Sequence, residues 1–249
     1  MNNRLLWLGL GAVTAILVIA GLGAVLDDTW AKLVLDRRPT NTIYPLTIQN
    51  LMTLLFFVGV GDVIYRRREA TREGRVLAEH LLPEDERTIL RSTDLQPYLQ
   101  KAQAHRRQQP SRLTALIEQG ILKFQAGESV ADSHQVLTTL GESEMHRNDL
   151  DYTLLRYFAW LIPTLGFIGT VVGIAGALAA LEGPGEGGAN MAPVIDSLAL
   201  AFNSTIVALT QSAVLVLLIQ FTQKKEELAI NAAVDYTLKH LINRLHVPR

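Results

Sequence analysis

Residues 157–181 read YFAWLIPTLGFIGTVVGIAGALAAL, an uncharged run in which glycines recur at 166, 169, 173 and 176. Steps of three, four and three residues put these glycines on one side of a helix, where a neighbouring helix approaches to backbone distance. Gly169 and Gly173 are themselves a GxxxG pair. Thr170 stands beside that face. A hydroxyl at the seam between two helices in lipid either holds them together or lines a path for an ion.

The composition sets the context. Hydrophobic residues make up 49% of the chain, and the charges fall in blocks, as expected of a membrane protein and not of a large soluble core. Four windows, at 5–26, 43–65, 157–181 and 193–221, are apolar over lengths that meet the roughly 20 residues needed to cross a hydrocarbon layer of about 30 Å. The first follows a basic start, MNNR, as a signal peptide would. Its apolar stretch is longer than a signal core and lacks a good small-x-small end, so an uncleaved anchor is expected. A net charge of −1 excludes the basic footprint of a nucleic-acid binder. With no cysteine, disulfides and thiolate metal sites are excluded.

The charge blocks orient the spans. Arg66, Arg67 and Arg68 follow the second window, Lys224 and Lys225 follow the fourth, and the glycine-rich loop EGPGEGGAN between the last two carries only Glu182 and Glu186. By the positive-inside bias both termini face the cytoplasm. The expected layout is a first transmembrane helix pair in 1–65, a helical cytoplasmic domain in 66–156, a second, core helix pair in 157–223 and a cytoplasmic amphipathic tail helix in 224–249. The fold class is therefore all-α and membrane-spanning, with short outer loops within each pair.

Inside the cytoplasmic block, Leu113, Leu116, Ile117, Ile121 and Phe124 follow helical spacing and leave Arg112, Glu118 and Lys123 for the wet face. Residues 81–94 predict a helix end at Pro83, a short acidic helix and a turn. In the tail, Ile230, Val234, Leu238, Leu241 and Leu245 predict that the fourth span runs on as an amphipathic helix packed on a neighbour, or lying on the membrane surface.

The fourth span, VIDSLALAFNSTIVALTQSAVLVLLIQF at 194–221, holds a dense polar set. Asn203, Ser204 and Thr205 recur seven residues later as Thr210, Gln211 and Ser212, forming one stripe that must face another helix or water. Interhelical hydrogen bonding accounts for such a stripe on its own, at about 0.6 kcal/mol per contact.

Together the two spans resemble the MotA/TolQ/ExbB family of ion-driven stator and energising proteins. The third span matches that family's proline followed by Gly-x-x-Gly-Thr-x-x-Gly, met here as Pro163, Gly166, Gly169, Thr170 and Gly173, with Gly176 continuing the face. The fourth matches its small-residue helix with a central threonine, in AFNSTIVAL with Thr205. The resemblance implies a homo-oligomeric ring, a pentamer, in the bacterial inner membrane. The ring encloses a pair of single-span subunits like MotB, TolR or ExbD, whose membrane aspartate carries the proton or sodium ion. It further implies that Thr170 and Thr205, with Ser204 and Asn203 beside them, line this chain's half of the ion path. Neutral hydroxyls suit that role, since they replace water around an ion without trapping it. The sequence departs from TolQ and ExbB at Leu200, where those proteins usually carry a glutamate, and in having four spans, as the flagellar branch does.

Two acids are further candidates. Asp62, inside the end of the second span, is expected either to pair with the arginines that follow or to serve function as an intramembrane ionisable group. Asp196 suits the N-terminus of the fourth helix, or gathers cations at a pore mouth. Glu84, Glu86, Arg87 and Arg91 read as solvated surface or as charges that grip a load. The six histidines show no paired metal spacing and no nucleophile-elbow or phosphate-loop motif occurs, so neither an enzyme nor a cofactor is expected beyond the transported ion itself. A non-conducting membrane scaffold, whose polar stripes only pack an oligomer, is the alternative.

Overall fold

A backbone in hydrocarbon has no water to bond, so apolar runs of this length fold as helices that satisfy themselves. The computed structural model describes residues 2–37, 44–85, 88–127, 129–181 and 191–246, and among them the chain is helical with no strand. In chain order the helices are α1 (Asn2–Val25), α2 (Asp28–Leu35), α3 (Ile48–Leu77), α4 (Gln96–Gln108), α5 (Arg112–Gly127), α6 (Val130–Asp151), α7 (Thr153–Leu181) and α8 (Ala192–His240). Among the described residues, four segments are long and apolar enough to cross a membrane: α1, α3, the one that includes α7, and α8.

The chain forms two compact units. The first comprises 1–65 with 153–221, the second 66–152 with 222–249, so that α3 and α8 each contribute residues to both.

In the first unit, α1 and α3 pack through glycine. A Cβ on Gly11 would lie 2.6 Å from the Phe57 carbonyl, and one on Gly61 would lie 2.6 Å from the Trp7 carbonyl, so the backbones touch at both levels. Between these helices stands α2, which the expectation of a short loop missed. It is amphipathic, burying Ala31 and Leu35 while exposing Trp30. Thr47 caps α3, its hydroxyl accepting from the Asn50 amide at 3.1 Å.

In the second unit, α5 is the central element. Leu113, Leu116, Ile117, Ile121 and Phe124 are all buried, as their spacing predicts, against Leu99 and Ala102 of α4 and Leu137 of α6. The stretch 81–94 differs from expectation. Helix α3 already ends at Leu77, no helix forms at 81–85, and a 3-10 turn occupies Ser92–Leu95. Burial decides this: Leu81, Leu82, Leu90 and Leu95 all anchor in the core, at intervals that no helix along this stretch supplies. The tail likewise packs on its own unit, since Ile230, Ala233, Leu241 and Ile242 are buried there. Helix α8 ends at His240, however, so Leu241 and Leu245 lie beyond it. Leu245 forms an isolated parallel bridge with Leu90, and the Arg244 guanidinium ties the turn to the Pro83 carbonyl at 2.8 Å. The interval Glu182–Asn190 and the pair Glu86 and Arg87 lie outside the described residues.

Candidate functional site

The glycine face of α7 meets α8 of the same chain. As α7 runs through Gly166, Gly169, Gly173 and Gly176, the residues opposite are Ala208, Ser204, Ala201 and Ser197 in turn, an antiparallel register kept over three helical turns. The α8 backbone comes closest at Gly173, where a Cβ would sit 2.7 Å from the Ala201 nitrogen and 2.7 Å from the Ser197 carbonyl oxygen.

Pro163 fits the same seam. Lacking an N–H, it leaves the Ala159 carbonyl, four residues earlier, without its helical donor. The Ser212 hydroxyl of α8 donates to that carbonyl at 2.8 Å, so one member of the polar stripe replaces the donor that the proline lacks. Others are used differently. Thr210 is exposed and donates back to Ile206 O of its own helix at 2.8 Å, while Gln211 donates to Thr53 Oγ1 of α3 at 3.0 Å. The six residues therefore do not act as one stripe.

Thr170 and Thr205 come together at the seam. Their hydroxyls are hydrogen-bonded to one another. Thr170 Oγ1 also lies 3.2 Å from both Gly166 O and Ala201 O, and Thr205 Oγ1 lies 3.4 Å from the same two carbonyls. Four neutral oxygens thus cluster with two hydroxyl protons between them. Such a set accepts a hard cation or relays a proton by hydroxyl rotation, with no formal charge to hold it. Ser204 is only 1% exposed and turns towards Gly169, donating to Ala201 O at 2.9 Å. Asn203 is half-buried and makes no side-chain hydrogen bond among the described residues.

Both threonines are half-buried, and the positions around them on their helices are bare and apolar. Phe167, Val171 and Ile174 flank Thr170, Phe202, Ile206 and Leu209 flank Thr205, and all six are exposed. A polar cluster at the edge of such a face is poorly placed against lipid chains.

The remaining acids divide clearly. Asp62 is fully buried and forms a two-pronged ion pair with Arg4 of α1, at 2.8 and 3.0 Å. The short Gly11–Gly61 approach brings the α1 backbone near enough for Arg4 to reach. Asp196 is exposed in the first turns of α8. In the second unit, Arg66 lies 4.5 Å over the Tyr152 ring, and the Tyr152 hydroxyl donates to Glu226 Oε2 at 2.7 Å. Burial pushes the Glu226 carboxyl above its ordinary range, against the Tyr152 hydrogen bond and the Arg66 charge. Of the surface charges, Glu84 bonds His80 and Arg91 is exposed.

Sequence reasoning overlooked a polar group on α3, made of Thr47, Gln49, Asn50 and Thr53, all buried. Four polar residues within seven positions of an otherwise apolar window were the available signal.

The α7–α8 pair thus joins a glycine seam to an uncharged hydroxyl–carbonyl cluster. Residues 107–233, about half the chain, match the MotA/TolQ/ExbB proton channel family, and the chain belongs to that family. The match takes in α5, α6, α7 and most of α8. No curated protein and no solved structure matches the chain.

Proposed function

We propose that this chain is the ring subunit of an inner-membrane rotary motor or energy-transducing complex, driven by protons or sodium ions. It forms a homopentamer around two single-span subunits, with both termini and the 66–156 segment in the cytoplasm. It conducts ions at its interface with those subunits, makes and breaks no covalent bonds, and turns the gradient into movement of a load. The observation that carries the reading is the Thr170–Thr205 cluster at the border of an exposed apolar face contributed by α7 and α8. A partner helix laid on that face would cover the six bare side chains and bring an acid to the four oxygens.

A scaffold reading has one observation in its favour: the two hydroxyls already bond each other, as purely structural ones would. Thr205→Val separates the readings, because it removes a hydroxyl at nearly constant volume. The variant is co-expressed with whichever single-span subunit its locus encodes, reconstituted in vesicles, and assayed for ion flux under an imposed gradient. For the motor, flux falls at least tenfold while the assembly keeps its size. Unchanged flux, or loss of assembly from a parent that conducts nothing, would leave only the scaffold.

A further inference from the structure

In the second unit, the end of α8 and the turn after it hold residues 82–85. The Tyr236 hydroxyl accepts from the Leu82 amide at 3.2 Å and donates to the Leu82 carbonyl at 3.4 Å. Two turns on, the Arg244 guanidinium binds three successive carbonyls. Its Nη1 donates to Pro83 O at 2.8 Å and to Asp85 O, and its Nη2 donates to Glu84 O at 3.1 Å. The other N–H of Nη2 meets His240 Nδ1, 3.3 Å away. All four terminal N–H groups of the fork are then in use, and Arg244 acts as a latch that fastens the 83–85 turn to α8.

The contact with His240 fixes the state of that ring. A guanidinium only donates, so Nδ1 must offer its lone pair, and the ring is neutral with its proton on Nε2. A second proton would land on Nδ1 and face a cation 3.3 Å away. Closed latch and imidazolium therefore exclude one another. The surroundings favour the neutral ring. Burial and then the Arg244 charge hold the His240 pKa below its ordinary value, helped by Lys239 on the same helix, while Glu84 and the Pro83 carbonyl on the facing turn oppose them. The Tyr236 ring packs beside the imidazole, 4.7 Å between centroids. His80, the other histidine of this corner, is exposed and bonds Glu84.

We propose that His240 makes this latch acid-sensitive: protonation at Nδ1 drives Arg244 off, and the 83–85 turn loosens from the end of α8 while the rest of the unit stays folded. Because the closed latch needs the neutral ring, it holds fully above the ordinary histidine value of 6.5 and weakens as pH falls through the lowered one. With this unit in the cytoplasm, as proposed above, the latch registers acidification on that side of the membrane.

Hydrogen–deuterium exchange of the full-length protein in detergent tests this, read by mass spectrometry at about pH 7.5 and about pH 5.5 and corrected for the chemical dependence of exchange on pH. The reporting peptide covers 78–90 and includes the Leu82 amide and the Thr88 amide, which donates to Asp85 O at 3.2 Å. Its corrected exchange should rise about tenfold at the lower pH, the effect of losing one hydrogen bond to a charged donor, while a peptide covering 113–124 of α5 keeps its protection. His240→Gln leaves a neutral acceptor beside Arg244 and should hold the slow rate at both pH values. His240→Lys sets a permanent charge there and should give the fast rate at both. His80→Gln, at an exposed position, should leave the pH response intact. The midpoint in the parent, which depends on no substitution, should lie below 6.5, and a midpoint above that value or no response at all would overturn the proposal. A response that survives His240→Gln, or one abolished by His80→Gln, would sink it by moving the trigger to another group. Equal loss of protection in the α5 peptide would do so by making the event unfolding of the whole unit.

Discussion

The glycine seam can be tested by adding one methyl group at a time. Carbon atoms pack at about 3.5–4.0 Å. An alanine Cβ at Gly176 would lie 3.3 Å from Ser197 Oγ and 3.6 Å from its Cβ, a contact a serine rotation relieves. At Gly169 it would lie 2.5 Å from Ser204 Oγ and 2.7 Å from Ser204 Cβ, and at Gly173 2.7 Å from two backbone atoms of α8. Gly176→Ala should therefore be neutral within about 0.5 kcal/mol, while Gly169→Ala should cost about 1–3 kcal/mol through overpacking. Gly173→Ala should reach or pass the top of that range, since only a shift of the α8 backbone makes room. Thermal unfolding in detergent, followed by circular dichroism, measures this at roughly 2–4 °C per kcal/mol. Second-site changes sharpen the test. In Gly169→Ala, Ser204→Gly removes both clashing atoms and should restore about 1–2 kcal/mol, a coupling typical of contacting residues. Ser204→Ala keeps the 2.7 Å Cβ clash and should restore little, and neither change should help Gly173→Ala. If alanine at 173 and at 176 proved equally costly, or if Ser204→Gly rescued both 169 and 173, the register of α7 on α8 described here would be wrong.

Three further outcomes are expected. Ser212→Ala strands the Ala159 carbonyl and should cost about 0.6–1.7 kcal/mol in unfolding assays, whereas in a Pro163→Ala background, where residue 163 again supplies an N–H, that cost should largely disappear. Arg4→Leu should lose about 3–5 kcal/mol by removing the two-pronged partner of the buried Asp62 charge, and Arg4→Leu with Asp62→Leu should lose clearly less; equal losses would mean the pair is not buried as a unit. For Glu226, whose folded pKa is raised by burial, protonation favours the folded state, so its stabilising contribution is full below the unfolded value of 4.5 and fades as pH rises through the raised one. Glu226→Gln should therefore gain on the parent in unfolding free energy from about pH 4.5 upward, and a difference that stays flat with pH would refute the shift.

What the sequence disclosed was local in character. Runs of hydropathy gave the spans, and spacing gave the glycine face and the buried side of α5, because each depends on residues within a few turns. What it hid depended on partners far away in the chain. Arg4 and Asp62 are 58 residues apart in the chain and pair nonetheless, and Arg66 meets Tyr152 and Glu226 from other helices, so neither arrangement shows in local spacing. Pro83 and the acids after it suggested a short helix, but four leucines drawn into a core overruled the local pattern. The eight residues of α2 are too few to show periodicity above noise. Thr47, Gln49, Asn50 and Thr53 were diluted by the apolar residues around them, so a hydropathy average passed over the group.

Packing and ion chemistry rest on the same atoms in this protein. Gly166 and Gly173 admit the α8 backbone, and only because they do is Ala201 O within 3.2 Å of Thr170 Oγ1. A larger residue at either glycine therefore damages the fold and the site at once, whereas a valine at Thr205 touches the site alone, which is why the threonines and not the glycines can report on conduction. The cluster they form is neutral, and a cation entering it needs a counter-charge. Among the described residues no acid of this chain is placed to give one. Asp62 is committed to Arg4, and Asp196 stands nine residues from Thr205 along α8, about 13 Å of helix away. If ions pass here, the carboxylate must arrive on another chain, across the bare face that Phe167, Val171, Phe202 and Ile206 present. Conduction by this chain reconstituted alone would contradict that dependence.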